Sequence, residues 1–397
     1  MKVLVVGSGG REHAITRALD ASDAVEEIHA AVSNRNPGIV SLADSVREVD
    51  TNSPDEVVGY ADDTDVGYAV VGPEAPLAEG VVDALEEAGV YGFGPRQAEA
   101  RIETDKAWAR RFMRDNGIDG TPDFEVFETA DAAAEYIAEY DGDVAVKPHG
   151  LTGGKGVRVT GDQLTKEEAR EYVRESEWED WVVEERLVGE EFTLQAFVAD
   201  GELVPSPAVQ DHKRAYEGDE GPNTGGMGSY TDAGRLLPFM QEDDYEDALE
   251  IMRQTVDALD DYKGVLYGQF MLTADGPKVV EFNARFGDPE AMNVLPLLRT
   301  DFGEVVRGAS EGSMPDVSFA ERATVCKYAV PDGYPTNPEA GAEITLDIDD
   351  DDKNTLVFYA SVDERDGKLY TTTSRSVAVV GFGDDITTAE ERAEAAL

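Results

Sequence analysis

The chain has 397 residues, 84 of them acidic against 34 basic, for a formal net charge of −50. Such a surplus argues against nucleic acid or anionic membranes as general partners. No apolar stretch reaches the length of a membrane span, and a single cysteine, Cys326, excludes an intramolecular disulfide framework and fits a reducing cytoplasm.

Residues 1 to about 100 alternate short apolar runs with helical patterns. Strands are predicted over Val3–Val6, Ile28–Val32, Val66–Val71 and the short Val90–Phe93. After the first, Gly7-Ser8-Gly9-Gly10-Arg11-Glu12-His13 opens a helix. This pattern predicts a doubly wound α/β unit. Ligands of such sheets bind at the carboxyl ends of strands, where Gly7–Glu12 and Gly72–Leu77 lie. A helical stretch from Ala98 to Asn116 carries Lys106, and residues 121 to about 189 read as a small α/β segment.

Within that segment Lys147 through Gly156 lies between Val144-Ala145-Val146 and Val157-Arg158-Val159, which predicts a hairpin with a glycine-rich loop. Glycine lets backbone N–H groups approach phosphate oxygens, and Lys155 adds charge. Lys155 is followed by Gly156 and a strand, so the loop is not of the Walker A kind. It reads as an ATP lid. Residues 190 to about 300 predict strands, a polar glycine loop at 217–229, a helix near 242–261, and strands at 265–272 and 278–283. Further strands are predicted over Ala323–Val330, Leu356–Ser361, Lys368–Thr372 and Ser376–Phe382, and a helix over Thr388–Leu397. The run Asp349–Asp352 reads as a solvated loop, since it lacks the glycine-bearing spacing of a calcium loop.

Gly7-x-Gly9-x-x-Glu12 is only part of a dinucleotide fingerprint. The third glycine is missing, and the second strand ends at Ser33-Asn34 with no acid for a ribose hydroxyl, which argues against NAD. A helix N-terminus after glycines, with Arg11 beside it, suits a small phosphorylated substrate; the bland alternative is a structural turn. Glu281 and Asn283 are two apart on a strand and share a face, with Arg285 at the same parity. Carboxylate and amide oxygens suit Mg²⁺ bridging phosphates, and Gln269 on the neighbouring strand supplies another; the alternative is a polar strand edge. Val182–Leu187 ends a strand where adenine could bond backbone groups, with Glu191 for ribose hydroxyls. Alone, those acids would be ordinary surface residues. His212 is read as a packing or hydrogen-bonding group, Cys326 as a buried small hydrophobe. The four histidines give no zinc spacing, and no Gly-x-Ser-x-Gly elbow is present.

Taken in order, Gly7–Ala14, Val71–Leu77, Lys147–Gly156, Gln210–Arg214, Gly221–Gly228 and Glu281–Glu290 resemble the ATP-grasp superfamily. Within it they look like the phosphoribosylamine–glycine ligase family, over essentially the whole chain. The Pro222–Gly228 and Asn283–Glu290 runs are the specific ones. The resemblance implies a doubly wound α/β substrate domain at 1–103, an ATP-grasp domain at 104–315 with its lid at about 121–189, and a β-rich domain at 316–397. It implies a cytoplasmic enzyme of purine synthesis, a monomer or weak dimer, that joins glycine to 5-phosphoribosylamine through glycyl phosphate, using ATP and Mg²⁺ or Mn²⁺.

By the same resemblance Lys106 and Lys147 contact ATP phosphates, and Gly153, Gly154, Lys155 and Gly156 close over them. Glu184, Glu185 and Leu187 hold adenine and Glu191 the ribose. Glu281, Asn283 and Gln269 bind the metal, Arg285 stabilises the transferring phosphoryl group, and Lys213 and Arg214 neutralise phosphate. Gly9, Gly10, Arg11 and Glu74 hold phosphoribosylamine, and Asp211 and Asn223 order the amines. Pro148-His149 stands where many members carry Ala-Asp, and members usually run beyond the end of this chain. Rival readings are a carboxylating ATP-grasp enzyme and a non-catalytic nucleotide sensor. The net charge further predicts a halophilic protein, because self-repulsion of this size calls for molar salt to screen it.

Overall fold

The computed structural model describes residues 1–149, 156–218, 220–346 and 353–397. The first hundred residues form a parallel sheet ordered Ser45–Glu48, Glu27–Val32, Lys2–Val6, Tyr68–Val71, Tyr91–Phe93. The chain therefore leaves the central strand at the point where strand order reverses, which opens a crevice beside Gly7–Gly10. Gly7 has φ +122°, and a Cβ there would lie 2.6 Å from Glu12 Cγ, so the turn requires glycine. The edge strand Ser45–Glu48 escapes the sequence reading because Ser-Val-Arg-Glu is half-buried at most and offers no apolar run.

The helix expected over 98–116 is two helices, Gln97–Thr104 and Lys106–Asn116. Asp105 breaks them. It leaves helical geometry, and its carboxylate caps the second helix by accepting from Trp108 N at 2.8 Å. Lys106 is thus placed at a helix start, not in a helix interior.

The segment that follows has its own sheet, ordered Phe124–Phe127, Trp181–Glu185, Val144–Pro148, Arg158–Val159. Helices Ala130–Glu139 and Lys166–Glu175 cover it around a separate core that includes Ile137, Val146, Val173 and Trp181. The hairpin forms with Ala145 opposite Val159. Gly153, Gly154 and Lys155, and the acidic run from Asp349, lie outside the described residues.

Three antiparallel sheets complete the fold among the described residues, the smallest ordered Glu343–Ile344, Lys368–Thr371, Val362–Arg365. One is ordered Glu202–Pro205, Glu190–Ala199, Gly264–Thr273, Gly276–Asn283, with helix Glu242–Ala258 packed on it. Another runs Gln210–Tyr216, Glu220–Thr231, Ala323–Ala329, Val377–Gly383, Thr355–Tyr359, under helix Ile386–Ala396. Among the described residues the expected glycine loop at 217–229 is therefore mostly a strand, paired on one side with Gln210–Tyr216 and on the other with Ala323–Ala329 from Gly228 onward. Its glycines permit the pairing: a Cβ on Gly228 would lie 2.5 Å from the Cys326 carbonyl. The hairpin 210–231 thus joins the sheet built by the last part of the chain. Cys326 is buried, as expected. Among the described residues no helix is long and apolar enough to cross a membrane.

His13 ties the first helix to this last sheet. It is buried, its Nδ1 accepts from Tyr359 N at 3.0 Å, and its ring stacks on Tyr359. Burial, then Arg17, pushes its pKa down to about 3. It is neutral in the fold but takes a proton in the unfolded chain below about pH 6.5, so stability falls as pH drops from 6.5 towards 3. Urea unfolding between pH 6 and 5 is expected to show a slope about 1 kcal/mol per pH unit steeper than that of His13→Gln. Equal slopes would mean that His13 does not carry this linkage.

Candidate active site

Strand register gathers the polar residues. Gln195 pairs with Tyr267 and Tyr267 with Asn283; Thr193 pairs with Gln269 and Gln269 with Glu281. Directly opposed residues point to the same side, so this face carries both residues of the Glu281/Asn283 pair, with Gln269 beside them. Lys213 reaches it from the neighbouring hairpin and donates to Gln269 Oε1 at 2.5 Å. Gln269 Nε2 donates to Glu191 Oε2 at 2.7 Å. Burial opposes the charge on Glu281, but Lys213, Lys106, Lys147 and Arg285 outweigh it and hold the carboxyl below its ordinary range. Lys213 is held charged against burial by Glu281, Glu191, Asp211 and Glu290.

A residue the sequence reading missed organises the lysine side. Arg110 grips Glu184 with Nε–Oε1 2.7 Å and Nη2–Oε2 3.0 Å, and Lys147 Nζ lies 2.8 Å from the same Oε2. All three are buried. Arg110 also donates to the Val279 and Val280 carbonyls, and Lys147 to Val280 O at 2.9 Å. Burial works against the Glu184 charge, yet Arg110 and Lys147 bring its pKa down to about 2. The Glu184 side chain is thus engaged by Arg110 and Lys147, which is compatible with the expectation that adenine bonds the backbone of this strand. The Glu185 carboxylate is likewise engaged, with Lys278 at 2.5 Å and Asp123 N at 3.1 Å. Leu187 is half-buried just beyond that strand. Gly156 is buried, its carbonyl accepting from Tyr172 OH at 2.9 Å.

Arg285 joins two domains. Nη2 donates to Asn283 Oδ1 at 2.9 Å and lies 2.8 Å from Glu103 Oε1. Nε is 3.5 Å from Glu74 Oε2, which also lies 4.0 Å from Arg11 Nη2. Arg11 and Arg285 each donate to the Phe286 carbonyl at 3.1 Å. Arg11 is buried and bound to Glu12 at 2.6 Å, so its guanidinium sits inside this network beside the crevice. Glu74 stands between the two arginines.

A cleft of about 160 Å³ opens between Ser8, Gly9 and Asn34 on one wall, and Ala360, Ser361 and Ser374 on the other. Asp288 and Arg375 line its depth. Gly10 lets the first helix approach the last sheet closely, since a Cβ there would lie 2.7 Å from Tyr328 OH. Arg375, which sequence reasoning did not single out, donates to the carbonyls of Gly225, Gly226 and Asp288 at 2.7, 2.9 and 3.1 Å. It thereby fixes the glycine strand to the Asp288 turn. Asp211 lies beside Gly226 with a buried, unpartnered Oδ1, near Glu290, Lys213 and Arg375. Arg214 pairs with Asp162 of the small domain at 2.6 Å, which ties the hairpin to the lid, and sits opposite Asn223 within the hairpin.

The acid–amide set fits a divalent cation by donor chemistry, all its ligand atoms being hard oxygens. Two of those oxygens, on Gln269 and Asn283, accept from Lys213 and Arg285, so a metal there replaces a cation contact. Among the described residues no group of three or more His, Cys, Asp or Glu is arranged to hold a metal alone. The ion would have to share its shell with substrate phosphates.

A small lid domain beside an antiparallel sheet that presents lysines, an acid and an amide defines an ATP-grasp protein. Three family models match: the phosphoribosylglycinamide synthetase N domain over residues 1–103, its ATP-grasp domain over 104–291 and its C domain over 324–397. Phosphoribosylamine–glycine ligase of Methanosarcina barkeri is 54% identical over 100% of this chain and 93% of its own length. That of Methanocella arvoryzae is 55% identical with the same coverage. The crystal structure of phosphoribosylamine–glycine ligase from Thermotoga maritima superposes with a TM-score of 0.83 at 30% identity, covering 100% of this chain and 96% of that one. The chain belongs to the phosphoribosylglycinamide synthetase family. A biotin carboxylase from Campylobacter jejuni, with a TM-score of 0.75 at 13% identity, shares the fold alone.

Proposed function

We propose that this chain ligates glycine to 5-phosphoribosylamine at the expense of ATP, giving glycinamide ribonucleotide, ADP and phosphate, a step of purine biosynthesis. The observation that carries it, in a member of this family, is Glu281 on a sheet face with Lys106, Lys147, Lys213 and Arg285 converging on it from other elements. That surplus of cations suits a polyphosphate.

A carboxylate is a poor acyl donor, so it is activated first. A glycine carboxylate oxygen attacks the γ-phosphorus, the β,γ-bridging P–O bond breaks, and ADP leaves. The amine nitrogen of phosphoribosylamine then attacks the acyl carbon, phosphate leaves, and the nitrogen gives up a proton. Such chemistry needs positioning and charge neutralisation, not a protein nucleophile. Lys147, aimed by Glu184, and Lys106 neutralise ATP phosphates, with Gly153, Gly154, Lys155 and Gly156 closing over them. The backbone of Glu184, Glu185 and Leu187 faces adenine and Glu191 the ribose. Arg285 and Lys213 meet the transferring phosphoryl group. Asp211 accepts from a substrate ammonium, which its unpartnered oxygen supports. Gly9 and Gly10 bind phosphoribosylamine in the cleft, with Glu74 and Arg11 behind them. Glu281, with Asn283 and Gln269, would hold Mg²⁺ or Mn²⁺, which when bound neutralises phosphate charge.

The test is ADP release in molar KCl with Mg²⁺, ATP and glycine, with and without phosphoribosylamine generated from ribose 5-phosphate and ammonia. Release is expected only with both amines present, with glycinamide ribonucleotide seen by mass. Glycine-independent release that follows bicarbonate would replace this reading with a carboxylating one.

The charge of −50 supports a halophilic, cytoplasmic working medium. Dialysis from molar KCl to 50 mM salt is expected to unfold the protein, read by far-UV circular dichroism. An unchanged spectrum and activity at low salt would end the halophile proposal.

A further inference from the structure

Glu103 is a buried carboxylate in the last turn of helix Gln97–Thr104, 8% exposed. Neither feature helps the helix. An acid near a helix C-terminus opposes the dipole, and burying its charge is costly unless it is paired. Its partners explain its place. Oε1 takes Arg285 Nη2 at 2.8 Å, and Oε2 accepts from Ala284 N at 2.7 Å. One side chain therefore holds both the guanidinium of Arg285 and the backbone just before it. Both oxygens accept, the pattern of an ionised carboxylate; burial raises its pKa, and Arg285 and the Ala284 N–H work against that rise. Of the remaining Arg285 contacts, Asn283 Oδ1 at 2.9 Å is a neutral acceptor, Glu74 lies 3.5 Å away and also faces Arg11, and the Phe286 carbonyl is divided between the two arginines.

We propose that Glu103 is a positioning residue for the ligation chemistry: it sets the angle at which Arg285 meets the transferring phosphoryl group. The proposal rests on the role given to Arg285 above. Without Glu103 the guanidinium keeps Asn283 and Glu74 but loses its closest carboxylate, and rotates.

The test is a double-mutant cycle on the full chain with Glu103→Gln, Arg285→Lys and the pair, measured by ADP release, glycinamide ribonucleotide yield and thermal melting. Glu103→Gln is expected to lower kcat about 10²-fold, the scale of a small misplacement of a reacting group, with KM for ATP within twofold. In the Arg285→Lys background it should cost less than threefold more, because both changes remove one function. Glu103→Asp, which keeps the charge at shorter reach, should recover part of the kcat loss. Additive losses, or Glu103→Gln within twofold of wild type beside a crippled Arg285→Lys, overturn the positioning role alone. Arg285→Lys with normal kcat overturns the reading on which it rests. If neither Glu103 variant melts cooperatively, Glu103 is a folding residue and the proposal fails.

Discussion

Glu281→Gln is expected to lower ligase turnover by about 10³-fold, near the upper end for removing one preorganised charged group from a reacting site, while the protein still folds. The substitution keeps the shape of the side chain and its strand pairing with Gln269. What it removes is a negative charge that Lys213, Lys106, Lys147 and Arg285 all act on. With that charge gone, the cations still attract ATP, so nucleotide binding by fluorescence titration should fall far less than turnover. The divalent ion that Glu281 would hold is then carried by amide oxygens alone, and its apparent affinity in a Mg²⁺ titration should drop. Turnover within a few-fold of wild type would remove Glu281 from the handling of phosphate charge. Loss of nucleotide binding in step with turnover would make it a residue of ground-state binding only.

Much of this site was legible because its signals are local. Glu281 and Asn283 sit two apart on a strand, and a period of two puts them on one face without further information. Glycines at Gly7 and Gly9 before a helix mark a crevice for the same kind of reason. What stayed hidden depends on pairing across long sequence distances. Arg110 reads as one more basic residue on an amphipathic helix, and only the packing of that helix under Val279 and Val280 turns it towards Glu184. Arg375 follows Ser374 in an unremarkable turn, yet it meets the carbonyl of Gly225, 150 positions away. Glu103 looks like a helix surface acid until Arg285 arrives beside it. The strand Glu220–Thr231 was misread because glycine and asparagine ordinarily signal loops. Here they let two neighbouring strands come close, and no sequence period records that.

The buried triad of Arg110, Lys147 and Glu184 gives the second large effect and separates folding from chemistry. Glu184→Ala leaves two cations without their shared carboxylate in the interior, which is expected to cost about 3–5 kcal/mol, seen as a lower urea midpoint. The penalty has a defined pH window. The folded pKa of Glu184 is depressed to about 2, so its stabilisation is complete above about pH 4.5 and fades as pH falls through that range towards 2. Wild type and Glu184→Ala should therefore differ fully at neutral pH and converge in strong acid. Replacing all three with apolar residues of similar size, as in Arg110→Leu, Lys147→Met and Glu184→Leu together, should restore most of the lost stability, because no charge is left to desolvate. Activity should not return, since the lysine proposed to neutralise ATP phosphate is gone together with its buried partner. If the triple variant regained turnover, Lys147 would have no part in the reaction. If it stayed as unstable as Glu184→Ala, the triad would be holding the lid sheet to the Val279–Val280 strand through its hydrogen bonds, and the unpaired charge would not be the source of the loss.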